Sequence, residues 1–149
     1  MLDDLYSTKL LELSANIAHI GRLDAPQGSA TRHARLCGSV VTAEVVLAED
    51  GTVAQFAQDV KACALGQASA AVLGKRVIGA TLADITEARD SLRALLAGQE
   101  AHFDEMFADL AIFKGVQDYK ARHASVMLAF EASAEAMEQA LAAQGEAVA

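Results

Sequence analysis

Cys37, in Arg35-Leu36-Cys37-Gly38-Ser39, and Cys63, in Lys61-Ala62-Cys63-Ala64-Leu65, are the only two cysteines in a chain of 149 residues that also holds four histidines. A thiolate is both a nucleophile and a metal ligand. Thiolate sulfur and neutral imidazole nitrogen are good donors to zinc and to iron, so a third group of interest is His123 in Ala121-Arg122-His123-Ala124-Ser125. The three are far apart in sequence, and no compact ligand pattern such as CxxC links them. A bland reading stays open beside the chemical one. Free cysteine is often a buried small hydrophobe, and a histidine on an apolar helical face is often a hydrogen-bonded core residue. The expectation is that Cys37, Cys63 and His123 meet at one site.

Other chemistry is absent or weak. Neither GxGxxG nor GxxxxGK[ST] occurs, and there is no GxSxG elbow. His33 and His102 lie in polar surroundings. The acid pairs Asp3-Asp4, Glu49-Asp50 and Asp104-Glu105 read as caps and turn residues, and Met106, Met127 and Met137 fall on core stripes. A net charge of −8 works against phosphate backbones, so no nucleic acid is expected. Charged residues interrupt every apolar stretch of about 18 residues, so no membrane span is expected either. The acidic start, Met1-Leu2-Asp3-Asp4, is unlike a secretory signal. The chain is expected to be one cytoplasmic domain over residues 1–149, where thiols stay reduced.

The elements that must position these residues follow from periodicity. Leu2, Leu5, Tyr6, Leu10, Leu13, Ile17 and Ile20 predict an amphipathic helix over 2–20, followed by a loop through Pro26 and Gly28. Residues 30–36 read as a short polar edge strand, and Val40 to Leu47 alternates as a second strand. Asp50-Gly51 turns the chain into a third strand, Thr52 to Val60. Cys63 then sits at a strand-to-helix junction, where a helix N-terminus favours the thiolate. The next helix is expected to end near Gly74. Thr81 to Asp84 opens another that ends at Gly98. A shorter amphipathic piece carries Phe103, Met106, Phe107 and Leu110 and breaks at Gly115. A last helix, from Asp118 or Ser125, carries the stripe His123, Val126, Met127, Phe130, Ala134, Met137 and Leu141, with residues 143–149 frayed. The fold class is α+β, a three-stranded antiparallel sheet with helices on one face.

Four pieces, in this order, carry a resemblance. They are Tyr6-Ser7-Thr8-Lys9; Cys37-Gly38 ahead of a strand; Cys63-Ala64-Leu65-Gly66-Gln67-Ala68-Ser69-Ala70 heading a helix; and His123-Ala124-Ser125 at the last helix. Together they resemble the U-type iron-sulfur cluster scaffold family (IscU, SufU and the N-terminal domain of NifU). In that family three cysteines and a neighbouring aspartate or histidine hold zinc or a nascent [2Fe-2S] cluster. By resemblance, Cys37 and Cys63 match the first two cysteines and His123 the histidine before the third. The third cysteine is replaced by Ala124, and the aspartate near the first by Ser39, a poorer ligand.

The resemblance implies a scaffold or carrier rather than an enzyme, with Cys37, Cys63, His123 and Ser39 as candidate metal ligands. Its cargo would be iron or a [2Fe-2S] cluster, with zinc as the alternative. Implied partners are a cysteine desulfurase and recipient iron-sulfur proteins, with the chain a monomer or weak homodimer. The Leu-Pro-Pro-Val-Lys stretch read by dedicated chaperones has no counterpart in Gly115-Val116-Gln117-Asp118-Tyr119-Lys120. Two further readings accompany the first. One is a zinc-bound persulfide acceptor of SufU type, a zinc-dependent sulfurtransferase with Cys37 as nucleophile. The other is a metal-free interaction domain of the same fold.

Overall fold

A computed structural model describes residues 7–148. Its centre is the Val- and Thr-rich strand β2 (Ser39–Leu47), flanked antiparallel by β1 (Gly28–Ala34) and β3 (Val53–Lys61) in the order β1-β2-β3. Antiparallel partners share a face, so the register Ala34↔Ser39, Ala30↔Ala43 and Val41↔Val60 defines one side of the sheet. Ser39, Val41, Ala43, Val45 and Leu47 are buried on that side, as the alternation in β2 implies. Thr42 and Glu44 on the opposite side are buried too. The hairpin forms at the expected place, with Gly51 at φ +87° and the Asp50 carboxylate accepting from Thr52 N–H and Oγ1–H.

Three expectations about elements are corrected. The first helix, α1, covers only Thr8–Ser14, capped by Ser7 Oγ; the predicted first turn of that helix lies outside the described residues. Beyond it, Gly21 N–H donates to Gln58 O and Gln58 N–H to His19 O, so residues 19–21 pair with the outer edge of β3. An edge strand needs partners for its backbone, and this demand overrides the helical spacing of Ile17 and Ile20. The second helix, α2 (Ala64–Arg76), runs past Gly74. That glycine serves close packing instead, since a Cβ there would lie 3.0 Å from both Ala18 O and Gln58 Nε2. After α3 (Leu82–Leu96), opened by the expected Thr81/Asp84 capping box, 3-10 helical turns span Glu105–Val116, kinked at Phe107 (φ −122°, ψ 29°) and not broken at Gly115.

The last helix, α4 (Lys120–Val148), is 29 residues long and continues past Ala143. It crosses the buried side of the sheet, with Val126, Phe130, Ala134, Met137 and Ala140 in the core. At the sheet edge Arg32 meets Glu131 and Glu135 of α4 at 3.8 and 3.9 Å. The result is the α+β architecture expected from sequence, with helices gathered over one face. Among the described residues no helix is long and apolar enough to cross a membrane.

On the other face, Glu44 ties the connection before β1 to the sheet. Its carboxylate accepts from Arg22 Nη2 at 3.0 Å, Leu23 N–H at 2.9 Å and Ser29 Oγ at 3.1 Å. The Arg22 hydrogen bond, against the opposing effect of burial and with help from Leu23 and Ser29, holds the carboxyl below its ordinary range. A lowered folded-state value contributes stability that is present above the ordinary carboxylate range and lost as pH falls toward the folded value. Acid unfolding monitored by circular dichroism should therefore show a steeper loss in the native chain than in Glu44→Gln, whose profile flattens across that window.

Candidate functional site

The two cysteines reach the same end of the sheet by different routes. Cys37 lies in the exposed four-residue turn from β1 to β2. Gly38 closes that turn at φ +71°, a left-handed conformation that suits glycine, and its N–H donates to Ala34 O at 2.9 Å. Ser39, the first residue of β2, then points under α4 and is buried. Cys63 is the N-cap of α2, half-buried, with no cap bond from its side chain. Ser125, on the sheet-facing side of α4, is fully buried between them.

One line of hydrogen bonds joins the four. Cys37 Sγ–H donates to Ser39 Oγ at 3.1 Å, and Ser125 Oγ–H donates to the same oxygen at 3.0 Å. Ser125 Oγ lies 3.3 Å from Cys63 Sγ. With its own hydrogen given to Ser39, Ser125 accepts from the Cys63 thiol. Gly66 makes this approach possible: a Cβ there would fall 2.6 Å from Ser125 Oγ and 2.8 Å from Ala62 Cβ. When the thiols ionise, the hydroxyls can turn, Ser39 donating to the Cys37 sulfur and Ser125 to the Cys63 sulfur.

Both thiols are held below the ordinary cysteine range. For Cys37, partial burial pushes upward and is outweighed by the Ser39 hydroxyl and N–H and the Ser125 hydroxyl. For Cys63, burial again pushes upward, as does the neighbouring Cys37. The Ser125 hydroxyl and the N–H groups of Gly66 and Leu65 at the start of α2 prevail. Three cationic residues lie near these positions in the chain. Arg35 and Lys61 precede the two cysteines by two residues and Arg122 precedes Ser125 by one helical turn. Among the described residues none of the three is in an ion pair.

His123 does not join this line. Its Nε2–H donates to Val116 O at 2.8 Å, tying the start of α4 to the end of the 3-10 segment. The ring borders a shallow pocket with Gly98, Gln117 and Asp118. Among the described residues no group of three or more His, Cys, Asp or Glu is placed to hold a metal ion. Ala124 is exposed and offers only a methyl group. The structure therefore brings together Cys37, Cys63 and Ser39 of the sequence-derived set, leaves out His123, and adds Ser125. That serine was visible only as the last letter of His123-Ala124-Ser125. His123→Ala should lower unfolding stability by about 1 kcal/mol, the worth of one part-buried hydrogen bond, while leaving thiol alkylation rates unchanged.

A two-layer α+β domain with a pair of serine-bridged thiols at one sheet end is the class that this fold and site define. Residues 5–126 match the family model described as the NifU-like N terminal domain, and the chain belongs to that family. Its fold is that of a nitrogen-fixing NifU-like protein (N-terminal) from Brucella abortus, with 44% identity over 95% of this chain and 97% of that one and a TM-score of 0.89. Two more distant structures share the fold at a TM-score of 0.77. One, from thermophilic Fervidobacterium islandicum AW-1, is named as an iron-sulfur cluster assembly scaffold for the SUF system (21% identity, 91% and 96% covered). The other is a hypothetical protein solved at 2.3 Å (22% identity, 91% and 98% covered). No curated protein matches the chain. The resemblance read from the four sequence pieces and the fold class read from periodicity both stand.

Proposed function

We propose that this protein is a scaffold or carrier in iron-sulfur cluster assembly that supplies half of a ligand shell and takes the rest from outside thiols. The observation that carries the reading is the hydrogen-bond line from Cys37 through Ser39 and Ser125 to Cys63, in a chain of the NifU-like N terminal family. The name of the Fervidobacterium protein, which shares only the fold, points the same way.

The donor set decides how the cargo would be held. A [2Fe-2S] cluster is ordinarily bound by four cysteines, and a structural zinc by four ligands. Cys37 and Cys63 are soft thiolate donors of the right kind for either, but they are two. Ser39 and Ser125 are buried and spend their hydroxyls on the sulfurs and on each other. Two coordination positions therefore fall to outside thiols.

Sulfur would enter at Cys37, the exposed thiol. Its thiolate attacks the outer sulfur of a donor persulfide R–S–SH, such as that of a cysteine desulfurase. A Cys37–S–SH forms and R–S⁻ leaves. The exposure of Cys37 at a turn tip also favours a second reading, a zinc-bound persulfide acceptor.

Anaerobic incubation with ferrous iron, cysteine, a cysteine desulfurase and a small thiol separates them. A visible absorption band with equimolar iron and sulfide, lost in both Cys37→Ala and Cys63→Ala, is expected. A colourless protein with stoichiometric zinc and persulfide on Cys37 selects the second reading. A protein binding neither metal nor sulfur overturns both.

A further inference from the structure

We infer that Cys63 is a resolving thiol, which discharges a persulfide on Cys37 as hydrosulfide by forming a Cys37–Cys63 disulfide. The inference rests on the reading above, in which Cys37 takes up sulfur, and asks what happens to that sulfur next. The two thiols lie on either side of one hydroxyl pair, with Cys63 Sγ 3.3 Å from Ser125 Oγ and Cys37 Sγ 3.1 Å from Ser39 Oγ. Their roles differ by position. Cys37 is exposed on a turn whose one side-chain hydrogen bond is that to Ser39. Cys63 is half-buried at the N-terminus of a 13-residue helix, its sulfur against the fully buried Ser125 hydroxyl. An exposed thiol that meets the donor, backed by a half-buried thiol that does not, is the arrangement a two-step sulfur transfer requires.

The step balances without an added reductant. Cys63–S⁻ attacks Cys37 Sγ, the inner sulfur of Cys37–S–SH. The Cys37–Cys63 bond forms as the bond to the outer sulfur breaks, and that sulfur departs as HS⁻. The electron pair of the broken S–S bond leaves with the outer sulfur, which is reduced from the persulfide to the sulfide level. A lone pair of Cys63 makes the new bond, and its sulfur is oxidised from the thiolate to the disulfide level. Ser125 Oγ–H, bonded to the Cys63 thiolate beforehand, is released toward Ser39 as that charge disappears. A disulfide requires the two Cα atoms within about 7 Å, and the turn carrying Cys37 can adjust to that span about Gly38, at φ +71° with open space where a Cβ would lie. Each chain delivers one sulfide and then waits for a thiol to reduce its disulfide. The sulfide is released beside the disulfide, whose two sulfurs can hold iron only after that reduction.

The test uses the full chain, reduced, treated with polysulfide, desalted in acid and returned to neutral pH without reductant. Sulfide is measured colorimetrically and the chain by intact and peptide mass. The native chain should release close to one sulfide per persulfide and end as an internal disulfide between Cys37 and Cys63. Cys63→Ser, an isosteric change, should keep the added sulfur on Cys37 and release it at least about tenfold more slowly. Cys63→Ala should behave alike, with circular dichroism reporting its fold. Equal release rates in native and Cys63→Ser chains, or a native persulfide that persists, overturn the resolving role and leave the scaffold reading standing. Failure of Cys37 to accept sulfur from a desulfurase overturns the scaffold reading itself.

Discussion

Gly28→Ala is expected to destabilise the protein by about 3 kcal/mol or more, the upper range for forcing an atom into a packed interior. Gly28 opens β1 where α4 crosses it. A Cβ there would lie 1.8 Å from Ala136 O, 2.8 Å from Ala136 C and 3.0 Å from Ala140 N. These are backbone atoms of a helix, which no rotamer change can move away, so α4 must lift from the sheet. Ser39 rides on β2 and Ser125 on α4, so the same displacement stretches their 3.0 Å bond and opens the site. Urea denaturation should show a lower midpoint, and thiol alkylation should change in parallel. Gly145→Ala in the same helix is the control. Nothing lies within 4 Å of that site, and alanine in a helix interior should add about 0.5–1 kcal/mol.

Ser125→Ala should slow alkylation of both thiols near neutral pH, by about tenfold for Cys63, the rate equivalent of one hydrogen bond to a charged group. The Ser125 hydroxyl favours the ionised form of each sulfur. Without it the two thiols become thiolate only at higher pH, so both rate-against-pH profiles move in the alkaline direction. Ser39→Ala should move Cys37 more than Cys63, since its hydroxyl bonds the Cys37 sulfur directly. Equal profiles in native and variant chains, with the native fold intact, would mean that the serines are spectators. The fold tolerates the change because a methyl group fits where the hydroxyl was, at the cost of one polar contact.

Much of this was legible in the sequence for identifiable reasons. β2 and its hairpin announced themselves because alternation and Asp50-Gly51 are local signals that tertiary packing reinforced. Cys63 at a strand-to-helix junction followed from the change of period. The 3-10 segment was also written in the sequence. Phe107, Leu110, Phe113 and Val116 are all buried and recur every third residue, which fits three residues per turn beyond the kink at Phe107. Gly115 does not break such a segment.

What could not be read is what depends on distant partners. Ile17 and Ile20 had helical spacing, yet residues 19–21 are claimed by the open edge of β3, which no local pattern reveals. His123 lay on the expected helix, but its ring is satisfied by Val116 O, seven residues back at the end of a different element. A polar group on an apolar face takes the nearest backbone acceptor when one is offered. Ser125 became visible only once Gly66 let α2 and α4 close on each other.

The joining of the two thiols into one site is tested most directly by a trivalent arsenical, which binds tightly only where two thiols can close on one arsenic atom. Reduced protein titrated with phenylarsine oxide should take up one equivalent per chain, shielding both Cys37 and Cys63 from iodoacetamide, and Cys37→Ser or Cys63→Ser should abolish the tight uptake. Alkylation of both cysteines at undiminished rates in the presence of the arsenical would show two separate thiols and contradict the site described above.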